Sequence, residues 1–173
     1  LFNYDNEILV IDNLTTGQHG SINQINKITG YLPEFAKIDI RSKRNLFEIF
    51  KIFKPKVVIH FAGLKNIFQS FKHPIAYHDN NVLGTINLLK AMDYIGCKKI
   101  VFSSSASVYG VPNYLPLDES HPTSPLSPYG KTKLFIEQML EDWASVELDR
   151  RAVALRYFNL SLTEKLKSII PSI

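Results

Sequence analysis

Apolar and polar positions along the chain follow two alternating rhythms. Short apolar runs at 7–14, 35–38, 56–63, 100–102 and 152–158 are rich in β-branched and aromatic residues, the composition of strands buried in a parallel sheet. Between them apolar residues recur at helical spacing. Ile22, Ile25 and Ile28 mark a short helix ended by Gly30. Leu46, Ile49, Phe50 and Phe53 mark a second, with Ser42 as its predicted N-cap and a stop before Pro55. A long helix starts at Pro74, carries Val82, Ile86, Leu88, Leu89 and Met92, and ends at Gly96; within it Gly84 permits close approach of another element. A last helix runs from Tyr129 with Leu134, Ile136, Met139, Leu140 and Trp143, apolar around much of its circumference and so predicted to be well buried. Strands alternating with helices predict an α/β fold, a doubly wound and mostly parallel sheet with helices on both faces.

Composition narrows the class without naming a chemistry. At 173 residues, 45% hydrophobic and 21% charged, the chain has the make-up of one soluble globular domain. No apolar run approaches the ~18 residues of a membrane span, and the start lacks the basic end and apolar stretch of a signal peptide. Cys97 is the one cysteine, which excludes an internal disulfide and suits a reducing, cytoplasmic compartment. The net charge of +4 comes from dispersed lysines. That pattern argues against nucleic acid and suits an anionic substrate.

Candidate chemistry gathers at one strand end. Ser103, Ser104, Ser105 and Ser107 follow the run at 100–102, so their hydroxyls sit where a strand gives way to its loop, the end at which open parallel sheets bind ligands. Tyr129 and Lys133 are one helical turn apart and share a face. A nearby ammonium favours the phenolate and lowers the pKa of a phenol, and a serine beside the same substrate oxygen can relay the proton. By itself the Tyr-x-x-x-Lys spacing more often means a partly buried tyrosine beside a solvated lysine. Asp12 ends the first run, where it reads equally as a ligand to a ribose or as an Asx turn. Ala62 and Gly63 let the chain pass close to a flat ligand. His60, on a strand, reads as a satisfied core histidine.

The run from Ser103 to Gly110, followed by Ser127-Pro128-Tyr129-Gly130-Lys131-Thr132-Lys133, resembles the extended short-chain dehydrogenase/reductase superfamily. His60-Phe61-Ala62-Gly63-Leu64-Lys65 and Arg156-Tyr157-Phe158-Asn159 narrow the resemblance to the UDP-glucose 4-epimerase family, from about Ile8 to Asn159. It implies a Rossmann-like domain over residues 1–159 and an isomerase of galactose metabolism. The reaction would interconvert UDP-glucose and UDP-galactose through a 4-keto intermediate, with NAD bound. Tyr129, Lys133 and Ser105 would be catalytic. Ser107, Asn159 and Lys65 would contact the UDP-sugar substrate. For the cofactor the resemblance implies Asp12 and Asn13 at the adenosine ribose and Asp39 with Ile40 at the adenine. It places Phe61, Ala62, Gly63 and Lys65 on the nicotinamide side, joined by Asn80, Ser103, Phe158, Tyr129 and Lys133. The Tyr129 helix often forms a homodimer interface in this superfamily.

Several departures qualify that picture. Only eleven residues precede Asp12 and none is glycine, so the first strand and glycine-rich loop of the family pattern are not in this sequence; residues 1–4 read as the tail of the helix after that loop. Phe68 stands where the family carries a small, glycine-containing segment facing the sugar. Ser107 replaces a residue that is usually threonine and keeps the hydroxyl. After Asn159 the match stops, and 160–173 reads as a divergent tail in place of a substrate domain. These departures predict a marginally stable chain, inactive as an isolated fragment, and they keep a non-catalytic remnant in view. A dehydratase of the same superfamily would carry acids just after the central hydroxyl; Ala106, Ser107 and Val108 offer none.

Overall fold

The computed structural model describes residues 6–17 and 20–158. They fall into two compact units, one holding the described residues up to Asp39, the other running from Ile40 to Phe158. In the smaller unit, strand β1 (Leu9–Asp12) pairs in parallel with β2 (Glu34–Lys37), Leu9 opposite Glu34 and Asp12 opposite Lys37. Helix α1 (Gly20–Thr29) connects them, the βαβ crossover that parallel pairing requires. It ends at Gly30, whose φ of 70° is the left-handed stop that glycine adopts freely. Of the isoleucine stripe, Ile22 is buried and Ile28 is 61% exposed. Residues of β1 are only partly buried, less than the sequence pattern predicts.

The larger unit holds a three-stranded parallel sheet ordered β3–β4–β5: Val58–His60, Lys99–Ser105 and Arg151–Tyr157. Helix α2 (Lys43–Phe53) packs on α5 (Gly84–Ile95), with Leu46 and Phe50 buried and Phe47 against Tyr94 at 5.2 Å between centroids. Ser42 occupies the predicted cap position, but its side chain makes no capping bond; its ψ of 85° is not the extended geometry that aims a hydroxyl at the first turn. The core is continuous through Met92, Ile100, Phe102, Ile136 and Leu140.

The helix predicted from Pro74 is three pieces. After α3 (Ile67–Lys72) comes α4 (Pro74–Tyr77), then a wide π turn (His78–Leu83), then α5, which stops at Gly96 with φ 71°. Such π insertions re-aim the residues within them and concentrate at functional sites. Gly84 follows the π turn, and a Cβ there would meet Ile40 Cδ1 at 2.4 Å; the close approach read from the sequence is made to Ile40.

Helix α6 (Pro128–Ser145) differs from the all-round burial expected of it. Tyr129, Thr132, Lys133, Ile136, Leu140 and Trp143 are buried on one stripe, while Phe135 is 52% exposed. Its cap is Ser127, whose Oγ accepts from Gly130 N at 3.0 Å. Among the described residues no helix is long and apolar enough to cross a membrane, and no cluster of three metal-ligating side chains occurs.

His60, at the end of β3, is a core residue, as read from the sequence. It is 3% exposed and its Nε2 lies 2.9 Å from Thr85 Oγ1. Thr85 donates its one hydroxyl hydrogen to Asn81 O at 2.6 Å, so His60 Nε2–H is the donor of the pair. Burial, aided by the charge of Lys133, holds the imidazole down to about 3. An unfolded chain protonates this histidine below pH ~6.5. The contribution to stability is therefore complete above that pH and is lost as pH falls toward about 3. Unfolding in urea should show about 2 kcal/mol less stability at pH 5 than at pH 8 from this residue. His60→Gln, which keeps a donor for Thr85, should flatten that slope; an unchanged slope would assign the pH dependence to other groups.

Candidate active site

Three segments of the larger unit converge on the C-terminal end of β4. The strand delivers Ser103, Ser104 and Ser105, and a short 3-10 turn (Ala106–Val108) follows. Ser105 caps that turn: its Oγ accepts from Ser107 N at 3.2 Å and bonds Ser107 Oγ at 3.1 Å. The first turn of α6 brings in Tyr129 and Lys133, both on its buried stripe. The turn after β3 brings Phe61, Ala62, Gly63 and Leu64.

Lys133 is 5% exposed, contrary to the solvated lysine that its spacing alone favours. Its Nζ donates to Ser103 O at 2.8 Å and lies 4.7 Å from the Phe102 ring centroid and 5.7 Å from that of Tyr129. Burial lowers the ammonium to about 8, so it remains mostly charged at neutral pH. Burial holds the Tyr129 phenol above its ordinary value, and the nearby Ser105 hydroxyl only partly offsets it. Desolvation of Tyr129 thus outweighs the groups around it that favour a phenolate.

Gly63 is where the chain passes close to these groups. A Cβ at this position would lie 3.1 Å from Asn81 Oδ1 and 3.8 Å from Lys133 Nζ, so main-chain surface lies directly beside the lysine. Asn81, 1% exposed on the π turn, holds this segment: Oδ1 accepts Leu64 N at 2.7 Å, and Nδ2 donates to Leu64 O at 3.0 Å and to Thr132 Oγ1 at 3.2 Å. The family resemblance points to the neighbouring Asn80. That residue is half-buried, and its amide donates to Asn81 Oδ1 at 3.0 Å. Nothing in two adjacent asparagines tells which faces inward, so no pattern distinguished them.

Other predicted residues divide. Phe61 is 65% exposed and Lys65 is exposed on the turn before α3. Phe158 is 57% exposed and stacks on Tyr109 at 6.5 Å. In the smaller unit Asp12 makes the Asx turn that the sequence left as one alternative, Oδ1 accepting Leu14 N at 2.7 Å. Asn13 Nδ2 donates to Asp39 Oδ2 at 2.9 Å, bringing two predicted cofactor residues together. Ile40, expected beside an adenine, has a side chain that is 7% exposed and packs on Gly84. Phe68 is 81% exposed. Asn159, residues 1–4 and the tail at 160–173 lie outside the described residues.

Beneath the serines, Ser104 Oγ donates to Glu137 Oε1, and Arg156 Nη2 pairs with Glu137 Oε2 at 2.8 Å while its guanidinium lies 4.9 Å from the Tyr109 ring. This ionic network ties β4, α6 and β5 together directly below the site and satisfies each buried polar group it contains.

The sequence model of the NAD dependent epimerase/dehydratase family matches residues 1–171. A UDP-glucose 4-epimerase of Mus musculus is 46% identical over 158 residues, spanning 87% of this chain and 46% of the relative. One of Dictyostelium discoideum is 43% identical over 151 residues, spanning 87% and 44%. Among solved structures, the UDP-glucose 4-epimerase of Stenotrophomonas maltophila with bound NAD and formylated UDP-arabinopyranose superposes with a TM-score of 0.86 at 38% identity, over 90% of this chain and 46% of that one. The enzyme of Bifidobacterium longum in complex with NAD+ and UDP gives 0.86 at 40% identity, over 88% and 46%. The chain thus spans about half the length of the curated relatives it matches.

Asn81→Leu should cost about 3 kcal/mol in chemical denaturation, because it strands the Leu64 main-chain groups. Asn80→Ala should cost less than about 1 kcal/mol. Equal losses at the two positions would refute the assignment of the turn to Asn81.

Proposed function

The chain belongs to the NAD-dependent epimerase/dehydratase family, and from that premise we propose that it carries the proton-transfer machinery of a UDP-hexose 4-epimerase acting on UDP-glucose and UDP-galactose. The observation that carries the reading is the joining of Ser105, Tyr129 and a buried Lys133 at one strand end. The residues present fit NAD, because side-chain-free surface at Gly63 lies beside a buried cation. Bound NAD supplies the acceptor, and later the donor, of a hydride at the sugar's fourth carbon.

Every proton step falls to the chain itself. Tyr129, as the phenolate, takes the proton of the sugar 4-hydroxyl by way of Ser105, which bonds the 4-oxygen, and returns it when the ketone is reduced; Ser107 Oγ lies 3.1 Å from Ser105 Oγ. Lys133 keeps two N–H donors beyond its bond to Ser103 O for the phenolate and a ribose hydroxyl. Phe61, Ala62, Gly63 and Ser103 line the nicotinamide side, joined by Phe158 and Asn80, while Lys65 reaches the sugar nucleotide. In the smaller unit Asp12, Asn13 and Asp39 take the adenosine. The absence of a carboxylate at Ala106, Ser107 and Val108 favours an epimerase over a dehydratase of the same superfamily. We read residues 1–159 as part of the NAD-binding domain. The exposed face of α6, with Phe135, is the surface for a second copy. The lone buried Cys97 suits a cytoplasmic setting.

Tyr129→Phe in the full-length protein carrying this sequence should lower kcat about 10²–10⁴-fold while NAD binding, followed by fluorescence quenching, stays close to wild type. Wild-type turnover in Tyr129→Phe would move the proton step to another group. A wild type that cannot interconvert UDP-glucose and UDP-galactose in a coupled assay would leave the non-catalytic reading in place.

A further inference from the structure

Tyr77, the last residue of α4, has no part in the proton path, yet it is 3% exposed and touches both the site and its rim. Its ring meets that of Tyr129 edge to face, with centroids 6.5 Å apart and planes at 82°, an arrangement that aromatic pairs favour. Its hydroxyl donates to Asn66 O at 2.5 Å. Asn66 in turn caps α3, its Oδ1 accepting Gln69 N at 3.0 Å. A six-residue helix such as α3 is not stable alone and depends on contacts of this kind. It carries Ile67 and Phe68, which are 41% and 81% exposed. One tyrosine therefore connects the ring at the proton step to the segment in which this sequence departs from the small, glycine-containing pattern of the family.

Resting on the reading of Tyr129 as the proton-transfer group, we propose that Tyr77 is a positioning residue that fixes the Tyr129 ring and couples its placement to α3. Three groups face the Tyr129 ring from three elements: Ser105 from β4, Lys133 within α6 and Tyr77 from α4. Lys133 lies over the ring as a cation, whereas Tyr77 packs on it edge to face with a ring of its own, and the freedom of Tyr77 is limited by the bond to Asn66. Displacement of a reacting group by about 1 Å can cost up to 10²-fold in rate.

The test uses the full-length protein labelled with [ζ-13C]tyrosine, the Tyr129 resonance being identified by its loss in Tyr129→Phe. In Tyr77→Leu, which removes both ring and tether, the Tyr129 resonance and its titration midpoint should move, and kcat should fall about tenfold with KM nearly unchanged. In Tyr77→Phe, which removes only the tether, the resonance should move less and kcat should fall about threefold. A purely structural role predicts lower thermal stability with an unmoved Tyr129 resonance and an unchanged kcat per folded molecule; that result overturns the proposal. Should Tyr77→Leu fail to fold, Tyr77→Phe decides, since an unmoved Tyr129 resonance there also overturns it. Absence of turnover in the wild type would count against the epimerase reading, while the resonance comparison would still judge the contact between Tyr77 and Tyr129.

Discussion

A buried ammonium at the end of β4 is the constraint around which the larger unit is arranged. Removing the charge of Lys133 from water is costly, and only strong local compensation keeps it inside. The compensation is specific: the Ser103 carbonyl at 2.8 Å and the Phe102 ring at 4.7 Å from its centroid. Both partners come from β4, so the lysine can sit there only if α6 lies over that strand with its first turn at the strand end. The neighbouring imidazole must then be neutral. His60 meets that requirement through full burial and an Nε2–H donated to Thr85.

The same logic extends outward through Asn81. Packing α6 beside the π turn encloses the main chain of Leu64, whose N–H and C=O have no strand or helix to join. One side-chain amide answers both and has an N–H left for Thr132, the residue next to Lys133. A regular α-helix from Pro74 to Gly96 would advance the asparagines by a different angle. The wide turn at His78–Leu83 carries Asn81 buried, with the Asn80 amide bonded to it from the next position. Local irregularity and polar satisfaction are thus one arrangement.

Most of this fold can be read from short-range pattern. Apolar runs found the strands and helical spacing found the helices, because hydrophobic periodicity reports directly on a buried face. The shared face of Tyr129 and Lys133 also followed from helical geometry. What escaped was set by partners far along the chain. Ser42 has the residue type of a cap without the backbone angles, whereas Asn66 and Ser127 cap their helices in fact. The apolar residues of α6 suggested burial all round, but Phe135 stays exposed and the polar Thr132 takes a core position. The burial of the Ile40 side chain against Gly84, 44 residues away, also has no local sign. Asn81 and Tyr77 act through contacts 17 or 11 residues away, for which the sequence has no local sign.

Burial acts in opposite directions on the two groups at the centre of the site. It raises the Tyr129 phenol and lowers the Lys133 ammonium, in each case favouring the neutral form. A tyrosine–lysine pair is usually credited with an easily formed phenolate, but here the lysine's hydrogen bond goes to a carbonyl, and the hydroxyl at the phenol is Ser105. In this arrangement burial favours the protonated phenol, the form that the proposed reaction needs for donation to a ketone oxygen. In the proposed reaction, the phenolate that accepts the alcohol proton is held by the N–H donors that Lys133 keeps beyond its bond to Ser103. A reversible interconversion needs both directions from one residue. In the proposed reaction a phenol kept neutral by burial serves the return direction, and the free N–H donors of Lys133 serve the forward one.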